Sequence, residues 1–207
     1  MKDYKILNVY GDSSLETGHF GVKYKGVKTV KCPFDYTLLQ MLIWDVKPDL
    51  IIEIGTAFGG SALYMADLLR TINNGKVHTI DIVKKTYHPL VTNHPNITCF
   101  FDGFQNYDIS LTKNFNKILV IDDGSHTKQD VLDAFEKFNS VVSKGSYYLV
   151  EDGIVNILGM DNYFGGGPLQ ALDIILNNTS EFKIDRKYCD LFGENYTFNP
   201  NGYLLKI

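Results

Sequence analysis

Four carboxylates and one imidazole stand where the chain stops being apolar. In "KILVIDDGSHTKQD" a run of buried-type residues ends in Asp122 and Asp123, and His126 follows three positions after Asp123. In "SYYLVEDG" a second such run ends in Glu151 and Asp152. Acids needed only for solubility have no reason to sit at the tips of hidden strands. If the two tips are neighbours, about 4.8 Å apart as adjacent strands are, Asp123, Glu151 and Asp152 crowd together. Their mutual repulsion then raises their pKa values unless a cation joins them. An all-oxygen set suits Mg2+, which fills its remaining positions with water or substrate oxygens. His126 falls at or just before a helix start, where the positive end of the helix dipole disfavours the imidazolium and leaves a neutral base. The chemistry so implied is deprotonation of a hydroxyl beside a metal ion. The plainer alternative is a solvated acidic rim in which each acid caps its own helix or turn.

Positioning these groups requires strands that end together. "DLIIEIG" (49–55), "KVHTIDI" (76–82), "ITCFFDG" (97–103), "KILVIDD" (117–123) and "SYYLVED" (146–152) are short, apolar and rich in β-branched and aromatic residues, as strands buried on both faces are. Helical patterns lie between and around them at 35–46 (capped by Asp35), 61–72, 127–138 and 168–178, the last with Pro168 in its first turn. Strands alternating with helices predict an α/β fold with a doubly wound, mostly parallel sheet. The tail "NYTFNPNGYLLKI" reads as two strands about "NPNG", a closing antiparallel hairpin.

The first strand runs into "EIGTAFGGSA", which places Glu53, Gly55, Thr56, Ala57, Gly59, Gly60 and Ser61 between a buried strand and a helix. Glycines there let backbone approach a ligand and turn helix N-terminal amides toward it. The dinucleotide fingerprint GxGxxG is absent, and an acid ahead of the first glycine would repel a pyrophosphate. The E-x-G-x-x-x-G spacing resembles that of class I methyltransferases, which bind S-adenosylmethionine (SAM). Asp81, closing the second strand, is placed to take both hydroxyls of a ribose; Asp102 and Gly103, closing the third, would sit near an adenine edge. A glycine turn serving packing alone is the competing reading.

Composition narrows the classes further. With 207 residues, 44% hydrophobic and 21% charged, the chain fits one soluble domain, 1–207. A net charge of −4 with no basic cluster argues against nucleic acid as partner. No apolar run is long enough to span a membrane, the N-terminus does not read as an export signal, and three widely spaced cysteines suit a reducing cytoplasm.

Several separate blocks, "VKTVKCPFDYTLLQMLIWDVKPDLIIEIGTAFGGSALYMADLL", "VIDDGSHTKQDV", "SKGSYYLVEDG" and "FGGGPLQALDIIL…FNPNGYL", resemble the cephalosporin hydroxylase family over Gly21 to Leu204. That resemblance implies a seven-stranded class I methyltransferase fold and kinship with macrolide-sugar and rhamnosyl O-methyltransferases. It implies SAM and Mg2+ as cofactors, Asp123, Glu151 and Asp152 as metal ligands, His126 as general base, and the Glu53–Ser61 loop as cofactor contacts. Asp122 stands outside the motif spacing. The hydroxylase label fails on the residues: an iron and 2-oxoglutarate oxygenase needs two histidines and a carboxylate, usually with an HxD pair. None of His19, His78, His88, His94 and His126 is followed two positions later by an acid. The expected activity is metal-dependent transfer of a methyl group from SAM to a hydroxyl of a sugar, glycan precursor or glycosylated metabolite. The rivals are an N-methyltransferase, which commonly carries an Asn/Asp-Pro-Pro-aromatic motif where this chain has "DDGSH", and a non-catalytic SAM-binding subunit. Residues 1–34 are expected to form an arm over the site, with the 162–168 loop beside them. A homo-oligomer is compatible with everything above.

Overall fold

Each of the five apolar runs forms a parallel strand, and the inner four bury both faces between helices. The computed structural model describes residues 17–207. A hairpin of β1 (Lys23–Tyr24) and β2 (Val27–Lys28) leads into α1 (Pro33–Val46), β3 (Leu50–Ile54), α2 (Gly60–Ile72), β4 (Lys76–Ile80), α3 (Pro89–Thr92) and β5 (Ile97–Phe100). Then come β6 (Ile118–Asp122), α4 (Lys128–Phe138), β7 (Tyr147–Val150), α5 (Ile154–Ile157), α6 (Gly167–Asn178), β8 (Phe182–Ile184), α7 (Arg186–Cys189) and β9 (Tyr203–Lys206). The main sheet has seven strands in the order β5-β4-β3-β6-β7-β9-β8, with β9 antiparallel to both neighbours. The chain leaves β3 in one direction toward β4 and β5 and later returns on its other side as β6 and β7. The crevice at that reversal is where doubly wound sheets take ligands.

Period two along the strands sorts the core into two layers. Leu50, Ile52 and Ile54 face α4 and α6, where Val131, Phe135, Phe138, Ala171 and Leu172 meet them. Ile51 faces the other way, onto Leu38, Leu42, Met65 and Leu69 of α1 and α2. The same alternation decides where the acids go. Glu53 shares the face of Ile51, so its side chain turns inward toward α2; Asp122 shares the face of Val120 and meets Tyr148, whose hydroxyl donates to it at 3.0 Å. Burial pushes the Asp122 carboxyl up to about 7, with the Tyr148 hydrogen bond opposing. The role of Asp122 is thereby placed: it is buried and anchored inside the sheet.

Three details differ from the sequence expectation. The antiparallel pair at the C-terminus is β8 with β9, so residues 195–201 form a turn and not the first strand of a hairpin. That turn is drawn inward because Asp35 accepts from the Thr197 hydroxyl and from Phe198 N–H. For the same reason Asp35 does not cap α1: the cap position is Cys32, and Asp35 lies buried within the first turn. Finally, β5 is an edge strand and only partly covered.

Two further buried acids join Asp122 in giving the fold a pH signature. Burial lifts both Asp35 and Glu53 to about 7, against the hydrogen bonds that each accepts. Below the ordinary carboxylate range both groups are protonated whether folded or not. Between there and about pH 7 the unfolded chain has lost these protons while the native state keeps them, so stability falls as pH rises. We expect the Tm to drop between about pH 5 and about pH 7, and Asp35→Asn to flatten that slope; calorimetric scans across the range measure both.

Candidate active site

The loops after β3, β4, β5 and β6 enclose a cavity of about 280 Å³ lined by Ile54, Gly55, Ala57, Asp81, Ile82, Gly103, Gln105, Asp123 and Ser125 among others. Gly55 must lack a side chain: a Cβ there would stand 1.9 Å from the Asp123 carbonyl oxygen, and its φ is +97°. Gly59, at φ +82°, opens α2, and its N–H donates to the Thr56 carbonyl at 2.7 Å. Gly60 lies under the β1–β2 hairpin, where a Cβ would meet the Lys28 carbonyl at 2.2 Å. Asp81 stands at the cavity wall, accepting from Val83 N–H at 3.1 Å, its other oxygen 3.5 Å from Lys85 Nζ.

Of the remaining loop residues, Thr56 is buried and shares a 2.7 Å hydrogen bond with Thr79. Glu53 accepts from Thr79 Oγ1 at 2.6 Å and from Ser61, and so ties β3 to β4 and α2 from beneath the cavity. Asp102 lines an adjoining hollow with Lys84 and Phe101, and Gly103 borders both spaces. Ile82, Gln105 and Ser125 line the cavity without having been singled out, because nothing in their local sequence marks them.

The acids gather at the seam between this cavity and a second one. The register pairs Ile54 with Asp122 and Asp122 with Val150, so the next residues, Gly55, Asp123 and Glu151, leave the sheet at one level. Asp123 N–H donates to the Ile54 carbonyl and Glu151 N–H to the Asp122 carbonyl, each at 2.9 Å. His126 Nε2 lies 3.3 Å from Asp152 Oδ2 and 4.0 Å from Asp123 Oδ1. Asp123, His126 and Asp152 each present one ligand atom within 4.8 Å of the others, a donor set of the right chemistry for a divalent cation. Both His126 (φ +58°) and Asp152 (φ +55°) hold left-handed backbone, a strain of order 1–3 kcal/mol that persists where surrounding structure enforces it. For Asp152 the enforcing contact is its N–H, which donates to Asn199 Oδ1 at 2.9 Å.

Glu151 has a different partner. Lys31, only 4% exposed, places its ammonium on Glu151 and also 3.3 Å from Asp123 Oδ2. Burial works against the Lys31 charge, but Asp123 and Glu151 outweigh it and hold its pKa well above the ordinary value. Burial pushes the Asp152 carboxyl up, His126 opposes this and Asp123 adds to it. Sequence reasoning did not single out Lys31. An isolated lysine in "TVKCPF" reads as a solvated side chain, and only the fold brings it to acids far along the chain.

The second cavity, about 350 Å³, is lined by His19, Phe20, Lys31, Asp35, Met160, Phe164 and Phe198, with His126, Glu151 and Asp152 in its wall. The described part of the N-terminal arm and the 162–168 loop both contribute to it. Residues 1–16 of the arm lie outside the described residues. No residue lines both cavities. Among the described residues, no helix is long and apolar enough to cross a membrane.

Residues 19–207 match the protein family described as rhamnosyl O-methyltransferase/CmcI. A rhamnosyl O-methyltransferase of Mycobacterium tuberculosis is 29% identical over 193 residues, covering 88% of this chain and 77% of the relative. The Mycobacterium leprae protein of that name is 29% identical over 192 residues, 88% of this chain and 82% of its own length. Among solved structures, CmcI with Mg and SAM superposes with a TM-score of 0.67 at 18% identity, covering 91% of this chain and 77% of that one. An O-methyltransferase from Bacillus cereus in complex with S-adenosylhomocysteine gives 0.59 at 17%, covering 86% and 80%. These structural likenesses are of fold.

Proposed function

Given that the chain belongs to the rhamnosyl O-methyltransferase/CmcI family, we propose that it transfers a methyl group from SAM to a hydroxyl of a sugar, in a divalent-cation-dependent reaction. The observation that carries this reading is the position of Asp123, His126 and Asp152 on the partition between two separate cavities. A cofactor on one side and an acceptor on the other would meet there.

The residues divide the work accordingly. Asp81 accepts from the two ribose hydroxyls, and Gly55 to Gly60 let the backbone close on the cofactor's amino acid end. Asp102 and Gly103 border the adenine, while Glu53, Thr56 and Ser61 hold the loop in place from below. When bound, SAM supplies an electrophilic methyl carbon, and a divalent cation supplies the positive charge that lowers the pKa of the acceptor hydroxyl. Asp123 and Asp152 would hold the cation, and Glu151 completes the oxygen set once freed from Lys31. His126, whose Nε2–H would donate to Asp152 3.3 Å away, takes the acceptor proton at its other ring nitrogen. The walls hold donor and acceptor in line, and that positioning provides much of the rate. The arm and the 162–168 loop cover the acceptor side.

The test is turnover: formation of S-adenosylhomocysteine from SAM on adding simple deoxysugar glycosides, and none without acceptor. Asp81→Ala is expected to raise the Kd for SAM about tenfold by calorimetry, since a paired charge-assisted contact is worth about 1.5–3 kcal/mol. Unchanged affinity would take Asp81 out of the cofactor site.

A further inference from the structure

The acid cluster already contains a cation of its own. Lys31 is carried by the short segment between β2 and α1, which is fixed at both ends: the hairpin lies over Gly60, and Asp35, one turn into α1, is locked onto Thr197 and Phe198. Its ammonium is therefore delivered by packed structure. It touches two of the three acids that the metal reading assigns, Glu151 directly and Asp123 at 3.3 Å. Asp123 divides its carboxylate between them, with Oδ1 toward His126 and Oδ2 toward Lys31.

We propose that Lys31 is a positioning residue that competes with the divalent cation for Glu151 and Asp123, and thereby sets how tightly the cation is held. The inference rests on the metal-dependent reading above. A buried carboxylate needs a counter-charge, and Glu151 has one before any metal arrives. Full coordination by the three acids requires exchange of one cation for the other. Two positive charges within one buried carboxylate cluster repel strongly at short range, so the lysine weakens metal binding. In its presence the Glu151 carboxyl is held in place when no metal is bound.

The experiment measures Mn2+ binding from the loss of the free-ion EPR signal, in protein stripped of metal and without SAM or acceptor. Lys31→Met keeps the aliphatic stem and removes the charge; it is expected to bind Mn2+ about tenfold or more tightly. Lys31→Arg should restore the wild-type value, which a loss of packing alone would not predict. The double variant Lys31→Met with Glu151→Gln has no buried unpaired charge, so it remains folded if the single variant does not. It should lose the gain, because the gain acts through Glu151. Equal or weaker binding in Lys31→Met, or a gain that survives in the double variant, overturns the proposal while leaving the metal reading intact. Absence of Mn2+ binding in every form, wild type included, overturns both.

Discussion

Replacing His126 with alanine is expected to lower kcat by about 10² to 10⁴, the usual worth of a positioned general base, while SAM binds with unchanged affinity. The expectation follows from placement. His126 lines the second cavity, which the proposed function gives to the acceptor, and does not line the first. Its Nε2 is 3.3 Å from Asp152, so one carboxylate can orient the ring through Nε2–H, leave the other ring nitrogen as the base, and stabilise the imidazolium that forms. Mn2+ affinity should move by no more than about threefold if the ring is a base beside an oxygen-liganded ion, since hard divalent cations prefer carboxylates. Single-turnover rates and calorimetry on the same preparation make the separation. An unchanged rate would remove His126 from the reaction.

Chelation should have an effect of similar size. Dialysis against EDTA is expected to reduce methyl transfer by at least about 10², and Mg2+ should restore it. A Lewis acid contributes several kcal/mol to the transition state, and each 1.36 kcal/mol is tenfold in rate. Asp152→Asn should behave as the chelated enzyme does at low Mg2+ and recover in part at high Mg2+, because a ligand charge has been lost and not the base. Full activity in EDTA would end the metal reading and leave Lys31 as the cation that the cluster is built around.

Much of this architecture is legible before any coordinates. Four of the five parallel strands show as apolar runs because both faces are buried, and the glycine loop shows because Gly55 has no room for a Cβ against Asp123. The arrival of Asp123, Glu151 and Asp152 at one rim follows from strands that end at one level, but the pairing of Glu151 with Lys31 and the grouping of His126 with Asp123 and Asp152 do not. What escaped the reading depends on residues far apart in sequence. Asp35 looks like a helix cap until Thr197 and Phe198 claim it. "NYTFNP" has the composition of a strand, but its polar groups serve Asp35 and Asp152 instead of a ladder. Lys31 carries no local signal, since lysine is the residue least expected inside a fold. Nor does any pattern announce that His126 and Asp152 adopt left-handed backbone.

The partition between the cavities has one more consequence. The first cavity is walled by turns that leave the parallel strands, whereas the second is walled largely by segments outside them: the stretch before α1, that from α5 to Phe164, and the turn at Phe198. Under the proposed division of the site, substitutions at Phe20, Met160 or Phe164 should change which acceptors are used while leaving SAM affinity unchanged, because none of the three lines the first cavity.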